Sequence, residues 1–146
     1  MTQTLRQLLL AIIAMGLAGT AADLLLLGHY EEGWQLVPLV LVGLGLLNVA
    51  WVALRPGTVA MTMMRVVMVT FIAAGVLGLL LHYNGNSEFQ REIDPTLHGW
   101  ALFTKVIHAK APPALAPASM IQLGLLGLLY TYAHPVFHPA WPQAEL

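Results

Sequence analysis

Four runs of mostly aliphatic, almost uncharged residues decide what this chain can fold into. They cover about residues 8–27, 36–54, 66–83 and 114–132. Each approaches the roughly 20 residues an α-helix needs to cross the hydrocarbon core of a bilayer. Within that core each backbone N–H and C=O must be satisfied inside the protein, which such runs achieve as helices. The expected fold is all-α. It is an integral membrane four-helix bundle of two helical hairpins, in a single domain over residues 1–146. A short interfacial amphipathic helix is expected between spans three and four. Composition agrees: 58% of residues are hydrophobic and 9% are charged, against about 25% charged in soluble domains.

The leading segment does not read as a cleaved signal peptide. Arg6 precedes the first apolar run, but the run continues past Ala21-Ala22-Asp23 into Leu24-Leu25-Leu26-Leu27, with no break at a small-residue site. The chain has no cysteine, so disulfides, thiolate metal sites and cysteine nucleophiles are excluded. A net charge of -1 supplies no basic field for nucleic acid.

The connections set the orientation. Residues 28–35 form a short turn with Glu31 and Glu32 and no Lys or Arg, whereas Arg6, Arg55 and Arg65 mark the opposite side. The positive-inside rule then puts both termini in the cytoplasm of a bacterial inner-membrane protein. Trp34 and Trp100 suit the interfacial belt, and Arg55 and Arg65 are expected to anchor at the other interface. Residues 84–113 form the sizeable extramembrane segment. There Asn84-Gly85-Asn86 reads as a turn. Asp94-Pro95 reads as a helix start, with Leu97, Trp100, Phe103 and Val106/Ile107 as a stripe lying on the membrane surface. Pro112-Pro113 should stop that helix, and the proline-rich tail from His134 to Pro142 should run extended.

The two hairpins echo each other. Pro38 precedes Leu44-Gly45-Leu46-Leu47 by the same spacing that separates Pro117 from Leu123-Gly124-Leu125-Leu126. The helices before them end in leucines followed by His29-Tyr30 and His82-Tyr83. An old duplication would explain this, although leucine and glycine are common enough here to match by chance.

The residues able to carry chemistry are sparse. Asp23 lies about one turn inside the first span, where an uncompensated carboxylate is costly. It should face the bundle, beside Gly16, Gly19 and Thr20, and bond Gln122 and Ser119 at similar depth. Asn48 and Thr70 should pair near mid-depth as interhelical glue. His29 and His82 share the outer surface with Glu31, Glu32 and Glu88, a donor set able to hold zinc, copper, nickel or manganese. The same two histidines could ligate a haem. Met61, Met63 and Met64 suit packing better than soft-metal ligation. The prolines beside His134 and His138 deny that pair helical metal geometry. No nucleophile–base order or phosphate-binding glycine loop appears, so an enzyme is disfavoured. The sequence points to a small non-catalytic accessory or interaction subunit whose polar outer face, built from the 28–35 turn and the 84–113 segment, is the expected interaction surface. Its partners are the lipid bilayer, another membrane subunit or a second copy of itself. The alternatives are a proton- or cation-coupled transport component using Asp23, and a haem- or metal-binding redox subunit using His29 and His82.

Overall fold

A computed structural model describes residues 1–109 and 113–137. Lys110, Pro112 and the tail from His138 onward, with its expected extended path, lie outside the described residues. All described regular structure is helical: α1 (Gln3–Leu26), α2 (Leu36–Leu54), α3 (Thr58–Ile93), α4 (Gly99–Ile107) and α5 (Ala118–Thr131), with single 3-10 turns at Gly33–Gln35 and Pro135–Phe137. The second of these turns corrects the expectation that the start of the tail is extended.

Three helices, α1, α2 and α3, are long and apolar enough to cross a membrane. Less than a third of each apolar window is buried inside the protein, and large side chains such as Leu8, Met15, Leu47 and Leu54 face outward. In water that surface would be a severe liability; in lipid it is the solvated face. The fourth apolar run, expected as a helix over 114–132, gives only the 14 residues of α5, short of the roughly 20 that span a bilayer alone. Residues 113–117 form turns instead.

α1 starts at Thr2, whose hydroxyl accepts from the Leu5 N–H at 3.3 Å. It ends in a Schellman motif: the Gly28 N–H donates to Leu25 O at 3.2 Å and the His29 N–H to Leu24 O at 2.9 Å. Gly28 takes φ +65° there, the left-handed conformation glycine adopts without a Cβ penalty. α1 packs on α2 and α5, and α3 packs on the same two helices, so the four run alternately up and down in a ring. Their shared core holds Ile13, Leu17, Val42, Met61, Met64, Met68 and Phe71. Met61 and Met64 thus act in packing, while Met63 is exposed.

The tightest seam joins α3 to α5. A Cβ on Gly75 would lie 3.0 Å from the Pro117 carbonyl oxygen and from the Ile121 nitrogen, and one on Gly124 would lie 2.7 Å from Met68 O. Gly78 meets Pro117. Backbone against backbone at this range is how helices gain dispersion contact where no hydrophobic drive exists between them. Gly45 and Gly124, the glycines of the echoed Leu-Gly-Leu-Leu runs, both face inward, Gly45 against Leu17 and Phe71.

Two arginines close the end of the ring that holds the described termini. Arg6 is buried, and donates from Nη1 to Tyr130 O at 2.8 Å and from Nη2 to Ala133 O at 2.9 Å. Arg65 donates from Nη2 to Thr131 O at 3.0 Å and from Nε to Thr131 Oγ1 at 3.3 Å. Its guanidinium lies 3.9 Å above the Phe137 ring centre. His134 packs here against the Tyr130 ring, 5.7 Å between centres. It is held below the usual histidine pKa by burial and then by the charges of Arg6 and Arg65. A neutral ring also fits its Nδ1, which accepts the Val136 N–H at 3.3 Å.

At the opposite end the sequence expectations need correction. Asn84-Gly85-Asn86 makes no turn: α3 runs through it for 36 residues, a rod of about 54 Å at 1.5 Å per residue. Asn86 and Ser87 are buried, and α4 folds back along this stretch, so tertiary packing overrides weak local propensity. Asp94 caps the C-terminus of α3 rather than starting α4. Its carboxylate accepts the Thr96 N–H at 3.0 Å and the Thr96 hydroxyl at 2.6 Å, which hold its pKa below the ordinary value. α4 begins after His98 and buries Leu102 and Val106 with Ala114 and Tyr83. Of the expected stripe, Val106 is buried and Leu97 and Ile107 pack against the same cluster, while Trp100 is exposed, stacked on Phe103 at 5.0 Å between ring centres.

Two predictions follow from this packing. Gly124→Val should lower thermal stability in detergent by about 1–3 kcal/mol through overpacking, while Gly19→Ala, where a Cβ meets nothing within 4 Å, should be neutral or slightly stabilising. Arg6→Ala should cost roughly 1.5–3 kcal/mol by removing charge-assisted bonds. Arg6→Lys should recover only part, since an ammonium cannot fork between two carbonyls; equal melting of Arg6→Ala and wild type would contradict the clamp.

Candidate functional site

The polar residues singled out in the sequence do not gather inside the ring. The inner stripe of α1 is Arg6, Leu9, Ile13 and Leu17, and Asp23 falls off it onto the exposed face. Gln122 and Ser119 on α5 are exposed too. The Ser119 hydroxyl donates to Ala116 O at 2.9 Å, and no hydrogen bond joins either residue to Asp23 among the described residues. The expected Asp23–Gln122 lock is absent because these side chains sit on outward faces. Asn48 and Thr70 are also apart. Asn48 is buried and donates from Nδ2 to Ala60 O at 3.3 Å. Exposed Thr70 donates to Val66 O at 2.9 Å on its own helix. The Asn48 Oδ1 is buried with no hydrogen-bond partner among the described residues.

The end of the ring opposite the two arginines is where the fold brings distant chemistry together. The Schellman turn after α1 sets the backbone of His29, and α3 carries His82 to meet it. Their ring centres are 6.5 Å apart, with planes tilted by 45°. His82 Nδ1 lies 3.0 Å from Pro113 O. A carbonyl oxygen can only accept, so Nδ1 carries the proton, and in the neutral ring Nε2 is left with its lone pair. His29 and His82 are both half-buried. Burial first, then the neighbouring His82, holds the His29 pKa below the ordinary histidine value.

The carboxylates expected beside these histidines do not complete a cluster. Among the described residues no group of three or more His, Asp or Glu is placed to hold a metal ion. Glu31 and Glu32 are exposed, their backbone N–H groups donating to Gln35 Oε1 at 2.9 and 3.2 Å. Glu88 lies further along α3, in an open groove lined by Asn84, Ser87, Arg91 and Glu92. Trp34 and Arg55 are exposed at opposite ends of α2. Arg65, expected only as an anchor, also holds α5.

Sequence reasoning missed the second role of Arg6 and the part played by Thr131. No local signal existed, because Arg6 meets carbonyls 124 and 127 residues away.

The His29 pair yields a titration prediction. His29 should titrate below about 6.5, the unperturbed histidine value, and His82→Gln should move its midpoint upward when followed by NMR. With the folded pKa lowered, the contribution to stability is full above about 6.5 and is lost as pH falls through the lowered value. An unchanged midpoint in His82→Gln would remove the electrostatic link between the rings.

No protein-family model matches this chain, and searches of curated proteins and of solved structures find no match either.

Proposed function

We propose that this chain is a non-catalytic subunit of a bacterial inner-membrane assembly. In this reading four helices span the bilayer, both termini are cytoplasmic, and a partner docks against the outward polar face of α1. One observation carries the reading: Asp23 is on the exposed side of an apolar helix, with Leu24, Leu25 and Leu26 continuing beyond it. A carboxylate on a lipid-facing surface is costly unless another chain or the interface receives it. Gln122 and Ser119 add polar groups on the outward side of α5, able to bond across to a neighbouring helix. The orientation is supported by charge. Arg6, Arg55 and Arg65 fall at one end of the ring, and the short turn at the other end has no Lys or Arg, which favours this sense under the positive-inside rule, while Arg91 and Lys105 at that other end stand among Glu88, Glu92 and Asp94. The short α5 can complete a span because turns extend it at both ends and α1 and α3 flank it.

The test separates partner binding from stability. Asp23→Leu should leave the melting temperature of the isolated 15.8 kDa chain unchanged or slightly higher, because the side chain makes no hydrogen bond among the described residues. The same variant should lose the partner, or the second copy, that wild type retains in native mass spectrometry from mild detergent. If Asp23→Leu melts early, or keeps its assembly intact, the proposal fails.

A further inference from the structure

The histidines of the outer end fall into two kinds. His98 and His108 are exposed, and each has Nδ1 against a carbonyl of its own segment, Thr96 O at 2.6 Å and Thr104 O at 2.7 Å. Each hangs from one local stretch of backbone. His29 and His82 come from elements distant in sequence and converge at 6.5 Å. His82 is oriented by Pro113 O, which belongs to a third part of the chain, the lead into α5.

We propose that His29 and His82 form a bis-imidazole site for one divalent transition-metal ion of the zinc, nickel and copper class. Imidazole nitrogens bind such ions at about 2.0–2.1 Å, so two rings this close can share one ion after a modest side-chain rotation. The His82 Nε2 lone pair is available, and the carbonyl on the other ring nitrogen is the outer-shell partner that ligating histidines characteristically have. Imidazole donors select this class over calcium or magnesium, which take oxygen ligands. Glu31 and Glu32 follow in the same turn and add negative potential that draws a cation. No third described side chain joins the two rings, so water fills the remaining positions and the ion exchanges with solvent. Bound there, it ties the turn after α1 to α3, and through the Pro113 contact to the entry of α5. Metal therefore stabilises the folded chain by mass action.

The experiment uses the full chain in mild detergent, stripped with chelator. Zinc is titrated calorimetrically, thermal unfolding is followed with and without excess zinc, and copper(II) is bound for electron paramagnetic resonance. The expected result is one zinc per chain, a melting temperature raised by several degrees, and copper coupled to two imidazole nitrogens. His29→Ala and His82→Gln should each abolish the zinc-induced shift and the two-nitrogen signal. Asparagine places an amide N–H where the ring Nδ1 meets the Pro113 carbonyl, so His82→Asn should lose the zinc-induced shift as His82→Gln does, yet melt as wild type does without metal. The double variant His98→Ala/His108→Ala should behave as wild type. The proposal is overturned if zinc shifts nothing, if His29→Ala or His82→Gln binds as wild type does, or if the His98/His108 variant is the one that loses binding. A strong visible haem band in the purified protein that vanishes in His29→Ala would also overturn it, assigning the two rings to a tetrapyrrole.

Discussion

The last turn of α5 is held by two guanidinium groups, and the closure of the ring depends on them. A helix C-terminus leaves carbonyl groups without intrahelical donors and carries the negative end of the macrodipole. Here the carbonyls of Tyr130, Thr131 and Ala133 are met by Arg6 from α1 and Arg65 from α3. Neither charge comes from α5 itself, which has no basic residue in its last turn. Both arginines gain donors' partners that replace water near an apolar ring, and the short helix gains fixed neighbours on either side. The positive residues that read in sequence as markers of one membrane side are therefore also the bolts that join the first and third helices to the last.

The other half of α5 is fixed by absence of side chain. Pro117 and Ile121 lie against Gly75 and Gly78, and Gly124 against Met68 and Ile72. Charge at one end and close backbone approach along the rest give a helix of 14 residues two independent means of attachment. The ring thereby aligns His82 with the Pro113 carbonyl just ahead of α5, so the geometry of the outer histidine pair is inherited from packing well below it.

Much of this was legible in the chain, for identifiable reasons. The first two apolar runs announce their helices by length, and Gly28 and Arg55-Pro56-Gly57 end them by known backbone chemistry. The meeting of His29 and His82 follows from each standing at the close of a leucine-rich run, although only His29 lies past a helix end and α3 continues beyond His82 to Ile93. Asn84-Gly85-Asn86 misled because its turn propensity is real; the burial of Asn86 and Ser87 and the packing of α4 on α3 outweigh it. Asp23 misled because Gly16, Gly19 and Thr20 suggested one seam; Gly16 does meet Leu123, but Gly19 meets nothing within 4 Å, and the buried stripe follows Leu9, Ile13 and Leu17. On an all-apolar helix, hydrophobicity alone does not say which side faces protein and which faces lipid.

The length of α3 has a mechanical meaning. A bilayer's hydrocarbon core is about 30 Å thick, and this helix, 36 residues without a break, measures about 54 Å. Its near end is gripped at Arg65; its far end carries Glu88, Arg91 and Glu92 together with the folded-back α4. It behaves as a mast stepped in the arginine clamp. A tilt of this helix about the clamp would be carried, with no break in the helix to absorb it, to the surface that α4 presents at the far end.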